Sequence, residues 1–494
     1  MHETKQMIPD GIEPQIGISF KTLLFDKAHR FELISTCVLF AISFAFIQWA
    51  YPFPNTYADT GAFITVAGNG LIGNYRPIGY SWFMAFAHFI DPHPDVLVLM
   101  QMVLYFFSTL VLYLTVKVFF AQSNSKLWKG FFFLFMLAPT CIYLTNFVIS
   151  DSLFISLTHL WLASLFWILG SRRGIAIIWN AFFLVLLLQT RYIALFYPLI
   201  TVITLFFTFF KTQKLSFFLY SGLQVVLFAA VIWFTTWQTE KNIGVPVFSA
   251  FGGWQKANNA MHIIPHVNLP PEDISDPEIK KVHAFIIAHS PKELYPKPDS
   301  VVVLYLWSNY GPLKQYMFHL KGNGRKSYLH YWHLASQPLG KWADYMIKRY
   351  PMLFLRHYIY PNFLFLFSLS NEALFEFPGP SRQMRNWFDW NNKPVKPHVD
   401  YFHNFLAATA SKSFNLLWFT LVISLIALCF PKQLKLEPLQ HKAIIVVLFF
   451  CLAYIALSVY ASPLVLRYLL VLRHSLILIP FLTFNQFFIR KVSK

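Results

Sequence analysis

Apolar runs of about twenty residues recur along this chain, and no other feature restricts its fold as strongly. A helix needs about twenty apolar residues to cross a membrane, because each residue rises about 1.5 Å through a hydrocarbon layer about 30 Å thick. Runs of this kind fall near 31–52, 95–121, 128–149, 152–170, 174–190, 192–210, 215–237, 402–430, 442–460 and 464–488, which predicts ten spans. The stretch 351–370 carries Arg356, His357 and Pro361, so it fits an interfacial or re-entrant segment as well as an eleventh span. Barrel strands are excluded, since they alternate polar and apolar residues over about ten positions. The expected fold class is an all-α polytopic membrane protein of about 10–11 transmembrane helices, with outer-face amphipathic helices and a small extramembrane cap.

Composition agrees. Of 494 residues 56% are hydrophobic and 13% are charged, against about 25% charged in ordinary soluble domains. A soluble enzyme and a disordered chain are both excluded. The net charge of +18 suits cytoplasmic loops and sites for anionic lipid or phosphate, and nucleic acid is not an expected partner. Cys37, Cys141, Cys429 and Cys451 all sit in apolar runs, where neither a disulfide framework nor a zinc site is indicated. The first thirty residues lack the features of a cleaved signal peptide, so the run from Phe31 is expected to remain as a signal anchor.

Positive charge orients the spans. Lys21, Lys27 and Arg30, then Lys126 and Lys129, Arg172 and Arg173, and Lys211 and Lys214 all fall on one side, as do Lys432, Lys435, Arg490, Lys491 and Lys494. That side is expected to be the cytoplasm. The division that follows is a cytoplasmic segment 1–30, a membrane module 31–237 with a first outer loop 53–94, an extracytoplasmic cap 238–350, and C-terminal membrane helices 351–494. The outer loop holds an amphipathic stretch, 58–71, and a second apolar stretch, 78–90, expected as two short helices lying on the outer leaflet. No internal repeat is evident, which speaks against many transporter folds.

Two acids lie on the outer side. Asp59 follows the first span closely, with Arg76 and Tyr80 in the nearby stretch Tyr75-Arg76-Pro77-Ile78-Gly79-Tyr80. A carboxylate at headgroup depth can accept a hydroxyl proton, and the planar fork of an arginine matches a phosphate. The plainer alternative is a solvated loop acid. Asp151, in Ser150-Asp151-Ser152-Leu153-Phe154, also suits an ordinary helix N-cap. Arginines inside apolar stretches, Arg191 beside Tyr192 and Arg467 beside Tyr468, need a partner, a wet cavity or a route to the interface. Arg473 reads as structural. In the cap, Gly252-Gly253-Trp254-Gln255-Lys256-Ala257-Asn258 combines aromatic and amide groups suited to sugars, with Trp254 and Asn258 as the binding candidates, though an ordinary interfacial cap has the same composition. His262 and His266 lack the companions of a zinc set.

The stretch Asp59-Thr60-Gly61-Ala62 followed by Gly73-Asn74-Tyr75-Arg76-Pro77-Ile78-Gly79-Tyr80 resembles the first outer loop of GT-C-fold integral-membrane glycosyltransferases of the PMT/ArnT-like superfamily, where an early Asp precedes an "RPPGYP"-like turn. Ser150-Asp151 opening a helix is similar to their second acidic motif, and Arg467-Tyr468 to an "R-Y" before their last span. The resemblance implies a GT-C-like bundle and an inverting transferase that moves a sugar from a polyprenyl-phosphate-linked donor to a lipid, glycan or protein hydroxyl. Asp59 and Asp151 would be the catalytic acids, and Arg76, Tyr80, Arg191, Tyr192, Arg467 and Tyr468 would bind substrate. A divalent metal is a candidate cofactor, with no ligand set assigned. The remaining partners are membrane lipids. The location implied is the bacterial inner (plasma) membrane, with the site facing the periplasm or exterior. A flippase or transporter for lipid-linked saccharides, or a glycan polymerase, is the alternative reading.

Overall fold

In the computed structural model the described residues are 23 and 26–490, except 71, 74–75, 122–124, 291–301, 372–373, 391–397, 399, 431–433 and 435. Expectations for Lys21, Asn74, Tyr75, Lys432, Lys435, Lys491 and Lys494 therefore lie outside them. The described residues form no β-strand, only two isolated bridges, Asn55 with Phe147 and Ser370 with Val465.

The protein is an all-α polytopic membrane protein. Among the described residues nine helices are long and apolar enough to cross a membrane: Lys27–Ala50, Pro94–Phe120, Lys126–Leu144, Asp151–Ser171, Tyr192–Phe209, Lys214–Ile243, Phe402–Leu428, Pro438–Ala461 and Leu466–Phe484. The tenth expected span is the shorter apolar helix Gly174–Thr190. For reference below, α1 is Arg30–Ala50, α2 Thr60–Asn69, α3 Gly79–Ile90, α4 Pro94–Phe120, α5 Ser125–Met136, α6 Pro139–Leu144, α7 Asp151–Ser171, α8 Gly174–Thr190, α9 Tyr197–Phe209 and α10 Lys214–Ile243. The stretch after Pro351 is helical without a break to Phe367, passing from α (Pro351–Phe354) to π (Leu355–Ile359), back to α (Tyr360–Leu364, with Pro361 in its first turn) and into a 3-10 turn (Phe365–Phe367). It is not among the nine helices long and apolar enough to cross a membrane.

Apolar helices still carry hydroxyls, and the chain satisfies them locally. Thr109, Ser156, Thr204, Thr208 and Thr235 each donate to the carbonyl four residues earlier, which hides a polar group that hydrocarbon would leave unbonded. One buried ion pair ties α1 to the far end of α4, with Lys117 Nζ 2.5 Å from Glu32 Oε1. Arg473 donates to the carbonyls of Leu134 and Leu137 at the end of α5, a structural role as expected.

A second apolar core lies between α10 and the membrane helices that follow it. Its helices are α11 Ala250–Ala260, α12 Pro277–Ala288, α13 Pro312–Lys321 and α14 Tyr328–Arg349, and its buried residues run from Ala250 to Tyr358. The closest approach is between α11 and α14. A Cβ at Gly253 would lie 2.1 Å from the Ser336 carbonyl oxygen, so only glycine lets these backbones meet.

Candidate functional site

Two loops from the same end of the bundle are stitched together by the Asn55–Phe147 bridge. Asn55 N–H donates to the Asn146 carbonyl at 2.7 Å, Val148 N–H donates to the Asn55 carbonyl at 3.0 Å, and the Thr60 hydroxyl donates to the Val148 carbonyl at 2.9 Å. The first loop leads into Asp59 and the second into Asp151. The Ser370–Val465 bridge does the same at the other end of the chain, with Leu466 N–H on the Ser370 carbonyl at 2.9 Å, and delivers Arg467.

Asp59 occupies the N-cap position of α2, yet its side chain makes no capping bond. It turns instead to Arg76, whose Nη2 lies 2.7 Å from Oδ1. Asp151 is likewise not the side-chain cap that its sequence context suggests. Ser150 holds the cap position without a side-chain bond, and Asp151, only 3% exposed, faces two guanidiniums. Its Oδ1 accepts from Arg191 Nη1 and its Oδ2 from Arg467 Nη1 at 3.5 Å. A buried carboxylate must be paired, and this requirement outweighs the cap bond.

Arg191 ends α8 in extended conformation. Arg76 is held nearby because the start of α3 presses on the end of α8. A Cβ at Gly79 would lie 2.7 Å from the Gln189 carbonyl oxygen, so the contact requires glycine. Arg467, 7% exposed, sits with its guanidinium carbon 4.1 Å from the Tyr57 ring centroid and 5.0 Å from that of Tyr468, and Arg191 lies 5.4 Å from the same Tyr468 ring. These three guanidiniums and two carboxylates leave one positive charge in excess. The Arg467 Nε–H is buried with no hydrogen-bond partner among the described residues.

The structure therefore brings together Asp59, Arg76, Asp151, Arg191, Arg467 and Tyr468. Tyr192 adjoins Arg191, its ring 4.6 Å from that of Phe248. Tyr80 lies fully buried, its hydroxyl donating to Gln101 Oε1 at 3.1 Å. Burial, and then the charge of Asp151, push its phenol well above the usual range, so it stays a donor. Trp254 and Asn258 are not brought to this site. Trp254 is fully buried, stacked on Trp332 at 4.1 Å with its Nε1 donating to the Trp332 carbonyl. Asn258 bonds the Val302 carbonyl at 2.9 Å and Leu306 N–H at 3.1 Å. The residue of α11 that reaches the site is Phe251, whose ring centroid is 4.5 Å from the Arg76 guanidinium carbon. Sequence reasoning missed both Phe251 and Tyr57. The available signal was position: Tyr57 is two residues before Asp59, and Phe251 immediately precedes Gly252-Gly253.

Among the described residues no group of three or more His, Cys, Asp or Glu is placed to hold a metal ion. Asp151 is also engaged on both oxygens by guanidiniums.

No protein-family model matches the chain, and no curated protein matches it significantly. Among solved structures it is similar to ArnT from Cupriavidus metallidurans bound to undecaprenyl phosphate, at 11% identity and a TM-score of 0.36, over 92% of this chain and 78% of that one. It is similar also to ArnT from the same organism in the apo state, at 10% identity and a TM-score of 0.35, over 93% and 78%.

Proposed function

We propose that the protein is a membrane glycosyltransferase that moves a sugar from a polyprenyl-phosphate-linked donor to a hydroxyl of a lipid, glycan or protein. The site faces the side opposite the cytoplasm. The observation that carries this reading is the division of labour between the two acids. Asp151 is spent on Arg191 and Arg467, whereas the Asp59 side chain, 16% exposed beside Arg76, lies at the accessible edge of the same cluster. An excess guanidinium next to a reachable carboxylate suits a reaction in which a phosphate leaves and a hydroxyl loses its proton.

In that reaction Asp59 takes the acceptor proton. The new bond forms between the acceptor oxygen and the anomeric carbon as the bond from that carbon to the phosphate oxygen breaks, which inverts the centre. Arg467 and Arg191 stabilise the charge that grows on the departing lipid phosphate. Arg76 fixes the direction of the Asp59 carboxylate, and Asp151 holds the two phosphate-facing arginines in place. Guanidinium contacts on both Asp151 oxygens favour this positioning role over metal binding.

The test is Asp59→Asn, assayed with an undecaprenyl-phosphate-linked sugar. Transfer is expected to fall by about a hundred- to ten-thousandfold, while binding of undecaprenyl phosphate persists. Turnover close to wild type would remove Asp59 as the base.

A further inference from the structure

At the end of the bundle opposite Asp59, a hollow of about 380 Å³ opens between α4, α7 and α8. Phe107, Leu160, Trp167 and Trp179 form its walls, and Ser171 and Arg173 stand at one end. A second hollow of about 360 Å³, with Phe83 and Met100 in its wall, shares Phe107 with the first. The first is an apolar groove whose wall on α4 includes Phe107, which is 40% exposed. Volumes of this size lie in the range of small-molecule sites, about 300–1,000 Å³.

The face at which Ser171 and Arg173 stand is positively charged. Helix α7 runs from Asp151 to Ser171, which at about 1.5 Å per residue puts Arg173 roughly 30 Å from the candidate catalytic site, at the other membrane face. Three stretches on that face, residues 125–129, 171–174 and 210–214, hold Lys126, Lys129, Arg172, Arg173, Lys211 and Lys214 and no acidic residue, and of these cations Arg173 lines the hollow. Arg173 already takes part in an interaction within the chain, but five N–H donors on one guanidinium allow a phosphate to be added. The tryptophans beside it are the residue type that sits at headgroup level.

We infer that this groove binds one anionic phospholipid of the leaflet opposite the catalytic site, its headgroup phosphate on Arg173 and an acyl chain along Phe107. Arg173 at the groove, on a face whose nearby connections carry only positive charge, selects a lipid with net negative charge over a zwitterionic one. The site is separate from the proposed transfer chemistry and does not depend on it.

Full-length protein is delipidated in mild detergent and titrated with phosphatidylglycerol, phosphatidylcholine or undecaprenyl phosphate, with bound lipid counted by native mass spectrometry. One phosphatidylglycerol is expected to bind at least about tenfold more tightly than phosphatidylcholine. Arg173→Ala should abolish most of that preference and Arg173→Glu all of it; both change a partly exposed residue that the core does not use. Leu160→Trp, which fills the groove, should prevent binding whatever the headgroup. Equal retention of the two phospholipids, preference unchanged in Arg173→Glu, or displacement of phosphatidylglycerol by undecaprenyl phosphate would each overturn the inference, the last by returning the groove to the lipid-linked donor. Loss of transfer activity in Asp59→Asn leaves this measurement unaffected.

Discussion

Arg467 holds its guanidinium carbon 4.1 Å from the ring centroid of Tyr57, joining the last membrane helices to the first outer loop. A cation over an aromatic face is worth about 0.5–1 kcal/mol when exposed and about 2 when desolvated. Tyr57→Leu is therefore expected to weaken binding of undecaprenyl phosphate by about two- to thirtyfold, and Tyr57→Phe far less, since the ring remains. Arg467→Ala removes a charge-assisted contact to phosphate worth about 1.5–3 kcal/mol and should cost about ten- to a hundredfold, with Arg467→Lys between the two. Donor and acceptor titrations on protein of equal thermal stability check this. Equal losses for both substrates would point to collapse of the site.

Asp151→Asn leaves Arg191 and Arg467 without their shared carboxylate. Removing one partner of a buried ion pair costs about 3–5 kcal/mol, so a marked fall in thermal unfolding temperature is expected. Transfer by the wild-type protein should continue in excess EDTA. Loss of activity in EDTA, restored by a divalent ion, would make Asp151 a candidate metal ligand instead.

Gly79→Ala inserts a methyl group 2.7 Å from the Gln189 carbonyl oxygen. Overpacking of this kind costs about 1–3 kcal/mol, and the movement that relieves it must displace the turn bearing Arg76 from Arg191. Donor affinity and stability should fall together. Gly174→Ala serves as control, because the nearest atom to its Cβ would be the Tyr220 hydroxyl at 3.9 Å.

Lys314 gives a pH dependence with a definite sign. It is 4% exposed, with its ammonium within 6 Å of the ring centroids of Trp254, Trp307, Tyr328 and Trp332. Burial pulls its pKa from 10.5 down to about 8. The unfolded chain therefore holds this proton more strongly than the folded one, and stability contributed at this position rises as pH passes from about 8 towards 10.5. The difference in thermal stability between wild type and Lys314→Met should shift in favour of wild type across that window. A difference that stays constant from pH 7.5 to 10 would refute the assignment.

The spans were readable because hydrocarbon leaves little choice: apolar length alone selects a helix, and Gly174–Thr190 is merely the shortest of them. The charged cluster was readable in its members, since arginines and aspartates in apolar surroundings must find one another. Which acid pairs with which arginine was not, because Asp151 meets Arg467 only through backbone bridges between segments far apart in sequence. Trp254 and Asn258 show the opposite difficulty. An aromatic and amide-rich helix looks the same whether it faces a sugar or packs on another helix, and the decisive contact, Gly253 against Ser336, lies 83 residues along the chain. The stretch 351–370 resisted assignment for its own reason. Its apolar content suits a span, while Arg356, His357 and Pro361 do not, and the chain answers with one helical stretch whose type changes from α to π and back.

The long reach of those bridges bears on how the protein is made. Asp151 enters the membrane with α7, but Arg467 arrives only with Leu466–Phe484, 316 residues later in the chain. Until then the carboxylate has Arg191 alone, and the Tyr57 ring waits for its cation. A ribosome-bound intermediate that has inserted every helix up to Ala461 would thus hold the Asp59–Arg76 and Asp151–Arg191 pairs but lack the third guanidinium. The proposed transfer would therefore require Leu466–Phe484 to be in place, rather than grow with the length of chain delivered.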